Sequence, residues 1–258
     1  MSSGDYLVPG APFLHLVCET IGVVVALAYY RRLRSEQADP VADDHRMILL
    51  IAATFGALLG SRLLGALEDP QRFFGGANWL YYLQSKTIVG GLLGGLWAVE
   101  VAKRWLGVRR RTGDVYVLPL LVAMIIGRLG CLAMGTGEPT YGLPTDSWLG
   151  LDLGDGVRRH ATALYEIIFL AILLLWFRRG RGMPTRGSGR QGGGGGAVPG
   201  RRFANFLIAY LTYRLLIGFL QPQIPLSGLG AIQWACVAGL LWYIYDYPRR
   251  REIQAAAP

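Results

Sequence analysis

The chain has 258 residues, of which 52% are hydrophobic, 17% charged and 36 are glycine, with a mean hydropathy of +0.34. That balance excludes an ordinary soluble globule and describes an integral membrane protein whose size suits one bundle. The net charge of +9 comes from basic residues that punctuate apolar runs, the pattern of topology determinants, so no nucleic-acid partner is expected.

In chain order, the first apolar stretch runs from Pro12 to Tyr30 and carries His15, Cys18 and Glu19. It has no basic segment ahead of it and no cleavage site behind it, so a cleaved signal peptide is not expected. The second, Met47 to Leu67, contains Arg62 and is followed by Glu68 to Lys86, where Phe73, Phe74, Trp79, Tyr81 and Tyr82 predict an arm lying at the membrane interface. The third, Thr87 to Val101, is short and carries Gly90, Gly91, Gly94 and Gly95, a small-residue face for close helix packing. The fourth, Val115 to Met134, holds Arg128 and Cys131, and the Gly/Pro/Asp-rich segment 137–159 after it predicts a small external cap built from turns. Arg159 and His160 open the fifth, Ala161 to Phe177, which includes Tyr165 and Glu166. Residues 180–200, with Gly192 to Gly196, predict a flexible cytoplasmic linker. Phe203 to Leu220, with Arg214, and Gly228 to Tyr245 complete the set. The expected fold is an all-α integral membrane protein, a single transmembrane domain of about seven helices.

Nineteen of the 26 Lys and Arg residues fall in the loops after the first, third and fifth stretches and at the C-terminus; four fall on the other side, and Arg62, Arg128 and Arg214 lie within the stretches. The positive-inside rule then sets the N-terminus outside and the C-terminus in the cytoplasm. At 1.5 Å rise per residue, Arg62, Arg128 and Arg214 lie about 23, 20 and 17 Å from the cytoplasmic ends of their helices, in the outer half of the bilayer with Glu19 and Glu166. Charges there are costly and mark functional sites. Three arginines against two carboxylates leave surplus positive charge, and the planar guanidinium fork suits phosphate oxygens, so the residues themselves point to an anionic-lipid site open to the outer leaflet. Structural ion pairs of Arg62 and Arg214 with Glu19 and Glu166 are the competing explanation.

Gly127-Arg128-Leu129-Gly130, Gly142-Leu143-Pro144-Thr145, Arg159-His160 with Leu164-Tyr165-Glu166, Tyr213-Arg214, Gly60-Ser61-Arg62 and the Gly90-Gly91 turn together resemble the prolipoprotein diacylglyceryl transferase family. The resemblance covers nearly the whole chain. It implies a multi-pass enzyme of the bacterial inner membrane that moves the diacylglyceryl group of phosphatidylglycerol onto the lipobox cysteine thiol of a prolipoprotein signal peptide. It further implies that Arg128 binds the lipid phosphate and Arg214 stabilises the departing glycerol phosphate, with His160 as the remaining proton acceptor. Arg62, Lys86, Gly90, Gly91, Glu138, Arg159, Tyr165, Glu166 and Glu19 are the expected substrate-binding residues.

The chain departs from that pattern at several positions. Val89 stands where typical members have His before the Gly-Gly turn, Cys131 where they have Asn, and Ala161 where they have Pro; the following acidic position is met by Thr136, or by Glu138 after a small shift. Lys86-Thr87-Ile88-Val89-Gly90-Gly91, Thr112-Gly113-Asp114 and Gly154-Asp155-Gly156 instead resemble a divergent branch. Two other functions fit the buried charges: an anionic-lipid-binding relative that is non-catalytic or differently catalytic, and a small transporter. His15 is expected near the outer end of its helix, lipid-facing or interfacial, and Cys131 as a small apolar residue at a helix interface. No metal and no other cofactor is expected, because the cysteines lack ligand spacing and the acids of the cap lack a histidine cluster.

Overall fold

The computed structural model describes residues 7–36, 43–108, 112–179 and 200–255. Each of the seven predicted apolar stretches is helical, and the described residues also hold two short α-helices, three single 3-10 turns and one hairpin. Among the described residues, four helical segments, Ala11–Ser35, His45–Ala66, Gly113–Gly137 and Arg201–Leu220, are long and apolar enough to cross a membrane. Their exposed side chains are the ones a bilayer would cover: Phe13, Leu16, Val23, Val24 and Leu27 on the first, and Ile51, Phe55, Leu58 and Leu59 on the second. The predicted linker falls outside the described residues except at Gly200.

The contacts group the chain into two compact units, Met1–Ala38 with Arg111–Phe206 and Asp39–Arg110 with Leu207–Pro258. In the first unit, α1 (Ala11–Glu36) packs against α6 (Val117–Met134). The pairing is antiparallel: Gly22 lies against Ala123, Gly130 against His15 and Cys18, and at the other end Tyr30 stacks on Tyr116 with centroids 5.0 Å apart. Gly130 sets how near the helices come, since a Cβ there would lie 2.8 Å from the His15 ring and 2.9 Å from its Cα. The other face of α6 meets α7 (Thr162–Arg179).

Between α6 and α7 lies the predicted cap, which contains more than turns. Strands β1 (Gly150–Asp152) and β2 (Arg158–His160) form an antiparallel hairpin, Gly150 opposite His160. Asp152 Oδ1 accepts the N–H groups of Gly154 and Gly156 and so closes the hairpin loop. A Thr162 Oγ1 hydrogen bond to the Thr140 carbonyl, 2.6 Å, ties the cap to the start of α7. Asp114 accepts from Gly200 N and Phe203 N at 2.6 and 2.9 Å, capping α8 (Arg201–Ile217) from a distant part of the chain.

In the second unit, α2 (Asp43–Ala66) crosses α5 (Ile88–Leu106) on glycine. A Cβ on Gly60 would run into Gly90 O and Gly94 Cα, and one on Gly56 into Gly94 O and Ala98 Cβ, so the backbones meet directly. The intervening arm consists of α3 (Pro70–Phe74), capped by Asp69, and α4 (Trp79–Gln84), capped by Asn78. Tyr81 and Tyr82 hydroxyls donate to the Ala66 and Phe73 carbonyls at 2.6 and 2.8 Å, holding the arm onto α2 and onto itself. Helix α9 (Ala231–Ala255) packs on α5 through Trp97 and Trp242, and its Gly239 admits Leu211 and Leu93 side chains.

Candidate functional site

The buried polar centre of the first unit is built on Arg128. Its position near the C-terminal end of α6 aims the guanidinium between α7 and the root of the cap. Nε lies 3.0 Å from Glu166 Oε1 on α7, and both side chains are almost fully buried, 6% and 2% exposed. Nη1 lies 3.3 Å from Thr140 Oγ1 and 3.6 Å from Cys131 Sγ, one turn along the same helix. Thr140 Oγ1 in turn reaches Glu138 Oε1 at 3.5 Å.

Two residues of this centre were not among the expected site residues. His15 is buried, its Nε2 3.6 Å from Cys131 Sγ, because Gly130 lets α1 come close enough to deliver it. It is therefore not lipid-facing. One helical turn on, Glu19 Oε1 lies 3.5 Å from the same nitrogen. His15, Cys131 and Glu138 each bring one donor atom within 4.8 Å of the other two. A small cavity adjoins Cys131 and Glu138, lined also by Thr140, Tyr141 and Thr162 among others, with about 10 Å³ open to the centre of a water molecule. That is room for one water, not for a lipid head group.

Of the expected site residues, Arg128 and Glu166 are buried together, Glu138 joins them through Thr140, and the partly exposed Glu19 joins through His15. Glu166 meets Arg128 and Glu19 meets His15. His160 and Tyr165 form a second group at the junction of the cap and α7. The Tyr165 hydroxyl sits 3.5 Å from His160 Nδ1 and donates to Leu149 O at 3.1 Å. Arg159 pairs with Asp155 at 2.7 Å and stacks over Tyr141, 5.2 Å from the ring centroid. The Arg159 hydrogen bond holds the Asp155 carboxyl below its ordinary range, with help from the Val157 N–H.

The remaining expected residues belong to the second unit. Arg62 Nη1 donates to the Ser85 carbonyl at 3.2 Å, and Ser61 Oγ accepts from Thr87 N at 3.0 Å, so these two side chains fasten α2 to the turn before α5. Lys86 lies in that turn, and its backbone packs on Gly65. Gly90 is in the glycine crossing, whereas Gly91 has only ordinary contacts. Arg214 is 3% exposed near the end of α8, where Gln233 donates to Leu215 O at 3.2 Å.

Comparison with known proteins places this geometry in context. The family model described as prolipoprotein diacylglyceryl transferase matches residues 15–246. The chain is similar to the phosphatidylglycerol–prolipoprotein diacylglyceryl transferase of Cutibacterium acnes, 29% identical over 193 residues, covering 67% of this chain and 63% of that protein. It is also similar to the proteins of the same name from Bordetella bronchiseptica, 27% identical over 231 residues, and Bordetella parapertussis, 26% over 231, each match covering 82% of this chain and 80% of the relative. The match to the Cutibacterium acnes protein spans less than two thirds of that relative's length.

Proposed function

We propose that this chain, which belongs to the prolipoprotein diacylglyceryl transferase family, transfers the diacylglyceryl group of phosphatidylglycerol to the lipobox cysteine of a prolipoprotein signal peptide. The reaction takes place at the outer leaflet of a bacterial inner membrane, with seven helices crossing the bilayer, the N-terminus outside and the C-terminus cytoplasmic. The acceptor thiol loses its proton and its sulfur attacks the glyceryl carbon. The bond from that carbon to the phosphate oxygen breaks, and glycerol phosphate leaves.

The observation that carries this reading is a buried arginine in a polar network, Arg128 with Glu166, Thr140 and Cys131, inside a helix of membrane-spanning length in a chain matched by the family along 15–246. Arg128 is assigned the lipid phosphate, and Arg214, in the other unit, the negative charge that develops on the departing glycerol phosphate. Both are donors fixed before the reaction and shielded from water, which gives such contacts their greatest effect on the barrier. His160, hydrogen-bonded near Tyr165, is assigned the proton. Glu19, Arg62, Lys86, Gly90, Gly91, Glu138, Arg159, Tyr165 and Glu166 are assigned to substrate binding.

The test is to incubate purified protein with phosphatidylglycerol and a lipobox peptide and to measure the peptide mass. A diacylglyceryl adduct is expected, with Arg128→Ala and Arg214→Ala each slowing it at least about a hundredfold, the scale of a lost transition-state donor. An adduct formed at unchanged rate by both variants would overturn the site assignment. No adduct under conditions where a typical member reacts favours the second reading, an anionic-lipid binder that is non-catalytic or does different chemistry. The specific observation for that reading is that Val89 and Cys131 replace the His and Asn of typical members.

A further inference from the structure

Three kinds of metal-binding side chain, an imidazole, a thiol and a carboxylate, converge beside Arg128, and nothing in the transfer reaction above uses two of them. The imidazole and thiol meet at a telling distance. A tetrahedral zinc-class ion with Zn–N about 2.0 Å and Zn–S about 2.3 Å separates the two ligand atoms by about 3.5 Å; His15 Nε2 and Cys131 Sγ are 3.6 Å apart. The Glu138 carboxylate lies within 4.8 Å of both, and closing to the coordination sphere takes a shift of about 1 Å in a half-buried, flexible side chain. Glu19, 3.5 Å from the same imidazole nitrogen, adds a further acidic group beside it.

The surroundings have the features of an outer shell. Arg128 Nη1 points an N–H at the Cys131 sulfur from 3.6 Å, the hydrogen bond by which proteins steady a ligating thiolate. Thr140 Oγ1 does the same for Glu138 at 3.5 Å. The charges favour a cation. Arg128 and Glu166 offset each other as a pair, and a thiolate with the Glu138 carboxylate matches the two charges of a divalent ion held also by a neutral imidazole, while the partly exposed Glu19 adds one more negative charge beside it. The fourth position of a three-ligand site stays open to solvent or substrate, and the cavity beside Cys131 and Glu138 has room for one small donor.

We propose that His15, Cys131 and Glu138 form a three-ligand site for a zinc-class divalent cation, with its fourth position open to the cavity at the root of the cap. The fold brings together residues 116 positions apart in the case of His15 and Cys131. It does so through Gly130, where the absent side chain lets α1 approach α6. A cation there draws an anionic oxygen or a thiolate to the open position.

Metal content and cobalt absorption test this on the full-length protein in detergent, independently of any transfer assay. After exposure to zinc and removal of excess, elemental analysis is expected to find one zinc per chain. Cobalt(II) titration is expected to produce the near-ultraviolet thiolate-to-cobalt band. Cys131→Ser is expected to abolish that band, and His15→Ala and Glu138→Gln to weaken cobalt affinity at least tenfold, each with an unchanged size-exclusion profile. A wild-type protein that gives no thiolate band and retains well under one zinc per chain overturns the proposal. So does a band that persists in Cys131→Ser. Because the wild-type titration is decisive by itself, a variant that fails to fold does not shelter the proposal, and because no lipid is present, its failure is separate from failure of the transferase reading.

Discussion

Arg128 and Glu166 form an ion pair that water barely reaches, Nε to Oε1 3.0 Å, joining α6 to α7. Two consequences follow from burial. The pair itself adds little net stability, since removing both charges from water costs nearly what their attraction returns, but breaking it removes the opposite charge that offsets the buried partner. Glu166→Ala is therefore expected to cost about 3–5 kcal/mol, read as a large fall in melting temperature in detergent. Replacing both partners together, Arg128→Met with Glu166→Leu, is expected to recover most of that loss while leaving lipid transfer abolished. A double variant no more stable than Glu166→Ala would show that the single substitution acts through lost packing instead.

Gly90 and Gly91 are neighbours with opposite expected responses. A Cβ on Gly90 would collide with the Gly60 carbonyl and come within 2.9 Å of Leu64 Cβ, whereas one on Gly91 would meet Ala57 O at 3.7 Å, an ordinary contact. Alanine in a helix gains about 1 kcal/mol over glycine, and overpacking a close-fitting site costs about 1–3 kcal/mol. At Gly90 the obstacle is partly backbone and cannot swing aside, so Gly90→Ala is expected to destabilise. Gly91→Ala is expected to be neutral or slightly stabilising, and any loss of transfer activity it causes then reports contact with substrate. Thermal unfolding of the two variants side by side checks the contrast.

The helices were legible in the sequence because each is a long, predominantly apolar run, and a span needs no distant partner to satisfy its backbone. The cap hairpin was not: β1 and β2 have three residues each, and strands that short exist only by pairing with each other and with Pro144 and the helix root. At the site, Arg128 and Glu166 stood out as charges in apolar sequence, but which acid takes which base depends on how α1 and α7 sit on α6. His15 illustrates the limit. The i, i+4 relation of His15 and Glu19 and the glycine beside Cys131 were both visible, yet only the close approach at Gly130 turns them into one cluster.

The cap hairpin should loosen in acid through Asp155. Arg159 donates to its Oδ2 at 2.8 Å and Val157 N to its Oδ1 at 3.2 Å, and the folded carboxyl titrates below its ordinary value. A depressed folded value means that the stabilisation is fully present above the unfolded pKa, about 3.9, and is lost as pH falls through the folded one. The pair is solvent-exposed, so the effect is under about 1 kcal/mol and fades with salt. Pepsin cleavage between Gly150 and His160 is expected to rise below about pH 4. In Asp155→Asn it is expected to be raised already at pH 5 and to change little below.

Asp114 offers the clearest test of how the first unit holds the start of α8. Its two carboxylate oxygens accept from Gly200 N and Phe203 N, two of the donors that a helix N-terminus leaves without partners. Asp114→Ala removes both bonds and the favourable charge at the positive end of the helix, an expected cost of about 1–2 kcal/mol. Asp114→Asn keeps one acceptor oxygen and no charge, so its cost should fall between wild type and alanine. Amide exchange over residues 200–206 separates the cases: protection should drop most in Asp114→Ala, less in Asp114→Asn, and the pattern should stay confined to this turn. Equal protection in all three proteins would show that packing of Phe203 on Phe206, centroids 6.1 Å apart, and on Gly113 holds the turn without the carboxylate.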